Sequence, residues 1–214
     1  MRGVLADQRL AQRLARVIAA IVPDLAPDRR ALLTRYCAWT VWLDDRLDDP
    51  DAGPGELAAL VEALQLPSEL AALDEVRVVE ALRDAARAAL EHDTPTDVER
   101  YLDVASRDVN YRSFAYALLL LIGDGYPPNV DAILDPASRA VRLANDLRTV
   151  ERDRAAGRRN ILDFEDRASV ARRIRTELRR HDRLLRDLRP GPARRALHRG
   201  VRVAVGLYAV GDLR

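Results

Sequence analysis

Along almost the whole chain apolar residues recur every three or four positions, and no segment alternates apolar and polar residues over a strand's length. The first pattern winds an apolar stripe down one side of an α-helix, whereas the second is what a half-buried strand requires. The sequence therefore predicts an all-α fold, a helical bundle. Turn signals divide it. An amphipathic helix is expected over 5–22, ending at Pro23, and a second from about Asp28 through "RRALLTRYCAWTVWLDDRL" to the turn "DPDAGPG". Shorter helices are expected near 56–64 and 68–91. "HDTPTDVERYL" reads as a helix start, with Thr94 as N-cap, Pro95 at the first helical position and acids in the first turn. That helix is expected to break near Asn110 and to reach Ile122, with further helices over about 130–156, 165–188 and 191–209. The chain has 214 residues, no internal repeat and no low-complexity linker, which points to a single domain over 1–214.

All 35 basic residues are arginine, and with abundant Ala, Asp and Leu this reads as the codon bias of a GC-rich bacterial genome rather than as a functional signal. The formal net charge of +1 gives no general attraction to nucleic acid. Its distribution is uneven. Residues 44–56 hold six acids against Arg46 alone, while residues 151–200 hold sixteen arginines against eight acids, a pattern read as a solvated helical face. Cys37 is the only cysteine, so an internal disulfide is excluded and a reducing cytoplasm is the expected location. Arg13 and Arg16 interrupt the apolar N-terminal stretch, so neither a signal peptide nor a membrane span is expected. His92, His181 and His198 show no metal spacing and are expected on the surface.

Two segments stand out against this background. "WLDDRLDD" places Asp44 and Asp48 four apart, and likewise Asp45 and Asp49, at the expected end of the second helix. Carboxylates there are opposed by the helix dipole and by one another. A hard divalent cation with oxygen ligands would offset both. The second segment is "LANDLRTVERDRAAGRRN", in which Asn145, Thr149 and Asp153 fall at i, i+4 and i+8 and drift only about 40° per step around a helix.

Together the two segments resemble the metal motifs of class I terpene synthases, DDxxD and (N/D)Dxx(S/T)xxxE, which face each other across an all-α fold. The resemblance implies Mg²⁺, three ions, with Asp44 bridging two of them, Asp45 and Asp48 assisting, and Asn145, Thr149 and Asp153 holding the third. Asp153 stands where the family usually has Glu. Arg152 takes the place of a basic residue that faces the diphosphate, and Gly157 and Asn160 fit the tail of the motif. In "RDVNY" the spacing suggests Arg107 as the diphosphate-sensing arginine, with Arg112 as the second choice, although the family's Asp and Gly are replaced by Asn110 and Tyr111. Arg202 and Tyr208 are the C-terminal candidates for contacting the diphosphate. The motifs cover about 30–165, and the chain is shorter than family members by several helices' worth.

The implied reaction is ionisation of an allylic isoprenoid diphosphate, followed by carbocation cyclisation or rearrangement to a terpene. Trp39, Trp42, Tyr111, Phe114, Tyr116 and Leu120 are the expected cavity wall. With only six Tyr, two Phe and two Trp in the chain, a C20 diphosphate, linear or already cyclised, is expected over a C15 one. The same resemblance admits a homodimer. Two alternatives stay open: a prenyltransferase, disfavoured because Asn145 and Thr149 stand where its second motif wants carboxylates, and a non-catalytic helical scaffold.

Overall fold

The computed structural model describes residues 8–49, 51–91 and 96–210. Among these residues the chain forms nine α-helices and two short 3-10 helices, with no strand. The α-helices are α1 (Gln8–Ile21), α2 (Pro27–Leu47), α3 (Pro54–Glu62), α4 (Val76–Glu91), α5 (Val98–Asp108), α6 (Tyr111–Ile122), α7 (Val130–Ala155), α8 (Arg167–Arg186) and α9 (Pro192–Val210). The 3-10 segments are Ser68–Leu73 and Ile161–Asp163. None of the helices is long and apolar enough to cross a membrane, among the described residues.

The expected boundaries hold within a few residues, with one correction. The single helix expected over 68–91 is a 3-10 segment followed by α4. Glu75 separates them: its carboxylate accepts the Arg77 backbone N–H at 3.0 Å and so starts a new helix. Thr94, Pro95 and His92 lie outside the described residues. The cap of α5 is Asp97, whose side chain accepts the Arg100 backbone N–H at 2.9 Å. The expected break at Asn110 is present, because this residue takes φ 55°, a left-handed conformation that Asn tolerates better than most residues.

Helix α7 is the central element and packs against α5, α6, α8 and α9. Its apolar side is fully buried at Ile133, Leu134 and Leu143. Each such side chain contributes roughly 1.5–3 kcal/mol on leaving water. Helices α1 and α2 pack on each other, and α1 also touches α9; α1, α2, α4, α6, α7 and α9 surround a hollow.

His181 departs from expectation. It is fully buried instead of lying at the surface, and its Nδ1 donates to the Ile133 carbonyl at 2.9 Å, which fixes the neutral tautomer. Burial lowers its pKa, only partly opposed by the Ile133 carbonyl and Asp182. A histidine with a lowered folded-state pKa contributes nothing above about pH 6.5, where both states are neutral. Below that pH the unfolded chain binds the proton first, so stability is lost on acidification. Urea unfolding at a series of pH values between 7.5 and 5 should show this loss, and His181→Gln should flatten that part of the profile. An unchanged slope would mean that the imidazole titrates as it does in water.

Candidate active site

The hollow is a cavity of about 240 Å³ with apolar walls and a polar mouth. Its walls come from Leu14, Ile18 and Ile21 of α1, Cys37 and Val41 of α2, Leu82 of α4, Phe114 of α6 and Ala204 of α9. Gly200 brings α9 close to this wall, since a Cβ there would stand 3.1 Å from the Tyr111 hydroxyl. Burial pushes the Cys37 thiol up to about 12, so it serves as a neutral wall group and not as a nucleophile.

Asp44 of α2, Asp48 at its C-cap, and Asn145, Arg152 and Asp153 of α7 meet at the mouth, joined by Asp108, Asn110, Arg142, Arg158 and Tyr208. Helical geometry explains which α2 residues take part. With about 100° per residue, Cys37, Val41, Asp44 and Asp48 fall within about 60° of one another. Asp45 lies about 80° from Cys37, and Trp42 and Trp39 about 140° and 200° away. The structure accordingly leaves Asp45 exposed and off the cavity. Trp39 is buried in the core against Tyr36, with ring centroids 6.4 Å apart, and Trp42 packs partly buried on the same core.

Other expected contacts also point elsewhere. Tyr111 and Phe114 line the cavity as expected, with ring centroids 5.9 Å apart, and so does Tyr208. Tyr116 instead packs edge-on against Tyr126 and donates to Asp131, and Leu120 does not line the cavity. Arg107 turns to α4, where it meets Asp84 at 2.8 Å and Glu91 at 3.6 Å. Its neighbour Asp108, one helical step away, faces the cavity instead. Arg112 pairs with Asp135 at 3.5 Å and Asp131 at 3.7 Å, and Arg202 with Asp182 at 2.6 Å, all away from the cavity.

The second motif is held from behind. The Thr149 hydroxyl donates to Asp153 at 2.6 Å and does not line the cavity. The fully buried Asn160 amide donates to the same carboxylate oxygen at 2.7 Å and to the Asp146 carbonyl at 3.1 Å. Asp146 itself is fully buried, with Arg142 Nε 2.8 Å away and the Tyr101 hydroxyl donating at 2.8 Å. Arg142 continues to Asp108 at 3.0 Å and to the Tyr101 oxygen at 2.9 Å. Burial opposes the Arg142 charge, but Asp146, Tyr101 and Asp108 more than restore it and hold its pKa well above the ordinary value.

Sequence reasoning missed Arg158 and Arg142. At the end of α7, Gly157 at φ 69° lets the Arg158 N–H reach the Asp153 carbonyl at 2.8 Å and its own N–H reach the Arg154 carbonyl at 3.1 Å. This Schellman turn swings Arg158 back across the mouth, where its guanidinium pairs with Asp48 of α2. The "AGRRN" sequence carries the signal for the turn, but not for the partner. Arg142 sits one turn before Asn145, and its partners come from α5 and α7.

The donors at the mouth are oxygens, as a hard cation such as Mg²⁺ requires. Among the described residues, no group of three or more His, Cys, Asp and Glu side chains is placed to hold a metal. Asp44, Asp48, Asn145 and Asp153 line one cavity without closing into such a group, so a cation there would need most of its ligands from water or phosphate. Arg158 on Asp48 supplies positive charge to the acidic helix end.

Removing one member of a buried ion pair leaves an uncompensated charge, at a cost of about 3–5 kcal/mol. Arg142→Leu should lower the free energy of unfolding in urea by that amount, and adding Asp146→Leu should recover part of it. A loss below about 1 kcal/mol would show that the network is not a stabilising unit. A scan against protein-family models and a search of curated proteins both find no match, so what this site does follows from its own residues.

Proposed function

We propose that the chain is a magnesium-dependent class I terpene synthase, which ionises an allylic isoprenoid diphosphate and confines the carbocation while it cyclises or rearranges. The observation that carries this is the convergence of two distant segments, 44–48 and 145–153, on the mouth of one apolar cavity. Oxygen donors stand at the entrance and hydrocarbon lies behind them, which matches a substrate with a polyanionic head and an apolar tail.

In this proposal Asp44, Asp48, Asn145 and Asp153 would hold magnesium, and three ions would require phosphate oxygens and waters to complete their shells. The metal would supply Lewis-acid neutralisation of charge developing on the leaving diphosphate. The chain's own residues do the rest. Arg152 and Arg158 stand at the mouth as cations for the diphosphate oxygens, and Arg158 can exchange Asp48 for that anion. Thr149 and Asn160 fix the Asp153 carboxylate so that it need not reorganise. Leu14, Ile18, Val41, Phe114 and Ala204 exclude water from the cation. The cavity of about 240 Å³ falls just below the ~300 Å³ lower end of ordinary ligand pockets, which favours a C10 or C15 chain over the C20 chain suggested by the scarcity of aromatics.

One observation favours a second reading, a non-catalytic helical protein. Arg158 already compensates Asp48, so the acidic helix end has a partner without any metal. The two readings separate on incubation with C10, C15 and C20 allylic diphosphates and a labdane-type cyclised diphosphate, with and without Mg²⁺, followed by gas chromatography. A magnesium-dependent hydrocarbon or alcohol is expected. Asp44→Ala should cut turnover about 100-fold or more at unchanged helicity. Retained turnover would remove the proposed metal site, and absence of any product together with absence of diphosphate binding would leave the scaffold reading.

A further inference from the structure

A second groove, of about 880 Å³, runs between α8 and α9 and shares no lining residue with the cavity. Six arginines line it: Arg179, Arg183 and Arg186 from α8, and Arg194, Arg195 and Arg199 from α9. The three on α8 are spaced i, i+4 and i+7 and fall within about 60° of one face, and Arg195 and Arg199 are spaced i, i+4. Two stripes of guanidinium groups therefore face each other across the groove, above the buried Leu185.

Several arginines on neighbouring faces are matched by acids. Arg139 meets Glu99, Asp103 and Asp135, and Arg173 meets Glu99 and Glu165. In the groove they are not. Asp182 is the one acid in its lining, and it is already engaged by Arg202 at 2.6 Å and by His198 at 3.6 Å. None of the six arginines forms an ion pair among the described residues; Arg179 donates only to Thr176 and Arg194 only to the Leu188 carbonyl. The first turn of α9 carries no acid, so Arg194 and Arg195 add to the positive end of that helix instead of being offset there. Like charges at this spacing repel, and their field is focused by the concave surface between the helices.

We propose that this groove is a second anion site, which takes phosphate groups from a free oligophosphate or from the headgroups of an anionic lipid surface. Guanidinium forks bind phosphate oxygens in pairs, and arginines from two helices can grip adjacent phosphates at once. The site is independent of the proposed reaction: its arginines contact neither carboxylate motif, and it requires no metal.

The test is calorimetric titration of the protein with inorganic diphosphate at low ionic strength in EDTA, which removes magnesium-dependent binding at the cavity mouth. Binding should weaken at least tenfold in Arg183→Glu/Arg199→Glu, whose side chains have no ion pairs to lose, with the thermal melt unchanged. Arg152→Glu/Arg158→Glu should leave it within twofold. In a parallel arm, flotation with phosphatidylglycerol vesicles against phosphatidylcholine vesicles separates the two sources, and the same groove variant should abolish any preference for the anionic surface. The proposal is overturned if neither probe binds, if the groove variant binds as the parent does, or if the loss follows Arg152 and Arg158 instead. Magnesium-dependent turnover is scored separately on the groove variant, so the failure of one proposal does not decide the other.

Discussion

The mouth of the cavity depends on a guanidinium that has almost no contact with water. Arg142 is 5% exposed, and burying its charge would be prohibitive without Asp146, Asp108 and the Tyr101 oxygen around it. This arrangement ties α5 to α7. It also reaches the second motif, because the Asp146 carbonyl accepts from Asn160, whose amide donates as well to Asp153. One connected set of polar contacts thus runs from Tyr101 to Thr149, and the two carboxylates it brings to the cavity lining, Asp108 and Asp153, inherit its rigidity. Buried networks of this kind favour one arrangement because rearranging them strands further polar atoms.

Charge at the entrance is balanced between helices rather than within them. The C-terminal end of α2 carries Asp44, Asp45 and Asp48 against its own dipole. Arg46 relieves Asp49 at 3.4 Å and Glu56 at 3.6 Å, and Arg158 arrives from the end of α7 to pair with Asp48. That second partner is brought to the entrance by the Schellman turn after α7.

The apolar chamber behind the mouth owes its size to small and aliphatic residues more than to aromatic ones. Gly200, Ala204, Ala85 and Ala86 stand on the cavity side, while the bulkier Tyr36 and Trp39 fill the core elsewhere. Gly200 lets α9 close the wall against Tyr111, since a Cβ there would stand 3.1 Å from the hydroxyl. Cavities cost stability in ordinary cores, so one lined by seven helices and opening on a charged rim is the natural place to seek function.

Much of this was legible in the chain. The three-and-four spacing of apolar residues determined an all-α fold, the punctuation at Pro23, Asn110 and the Gly157 turn determined where helices end, and two runs of oxygen-bearing side chains marked the segments that meet at the mouth. Those properties are local, set by neighbours within a turn or two of helix. The rest is a matter of which helix faces which. Nothing within ten residues of Arg107 says that it turns to α4 while Asp108 turns inward, or that Trp39 and Trp42 belong to the core and not to the wall. Nothing near Arg158 names Asp48, 110 residues away, as its partner. Residue type and spacing fix the faces of a helix, and only the packing of α2, α5 and α7 around a shared hollow decided which of those faces became the site.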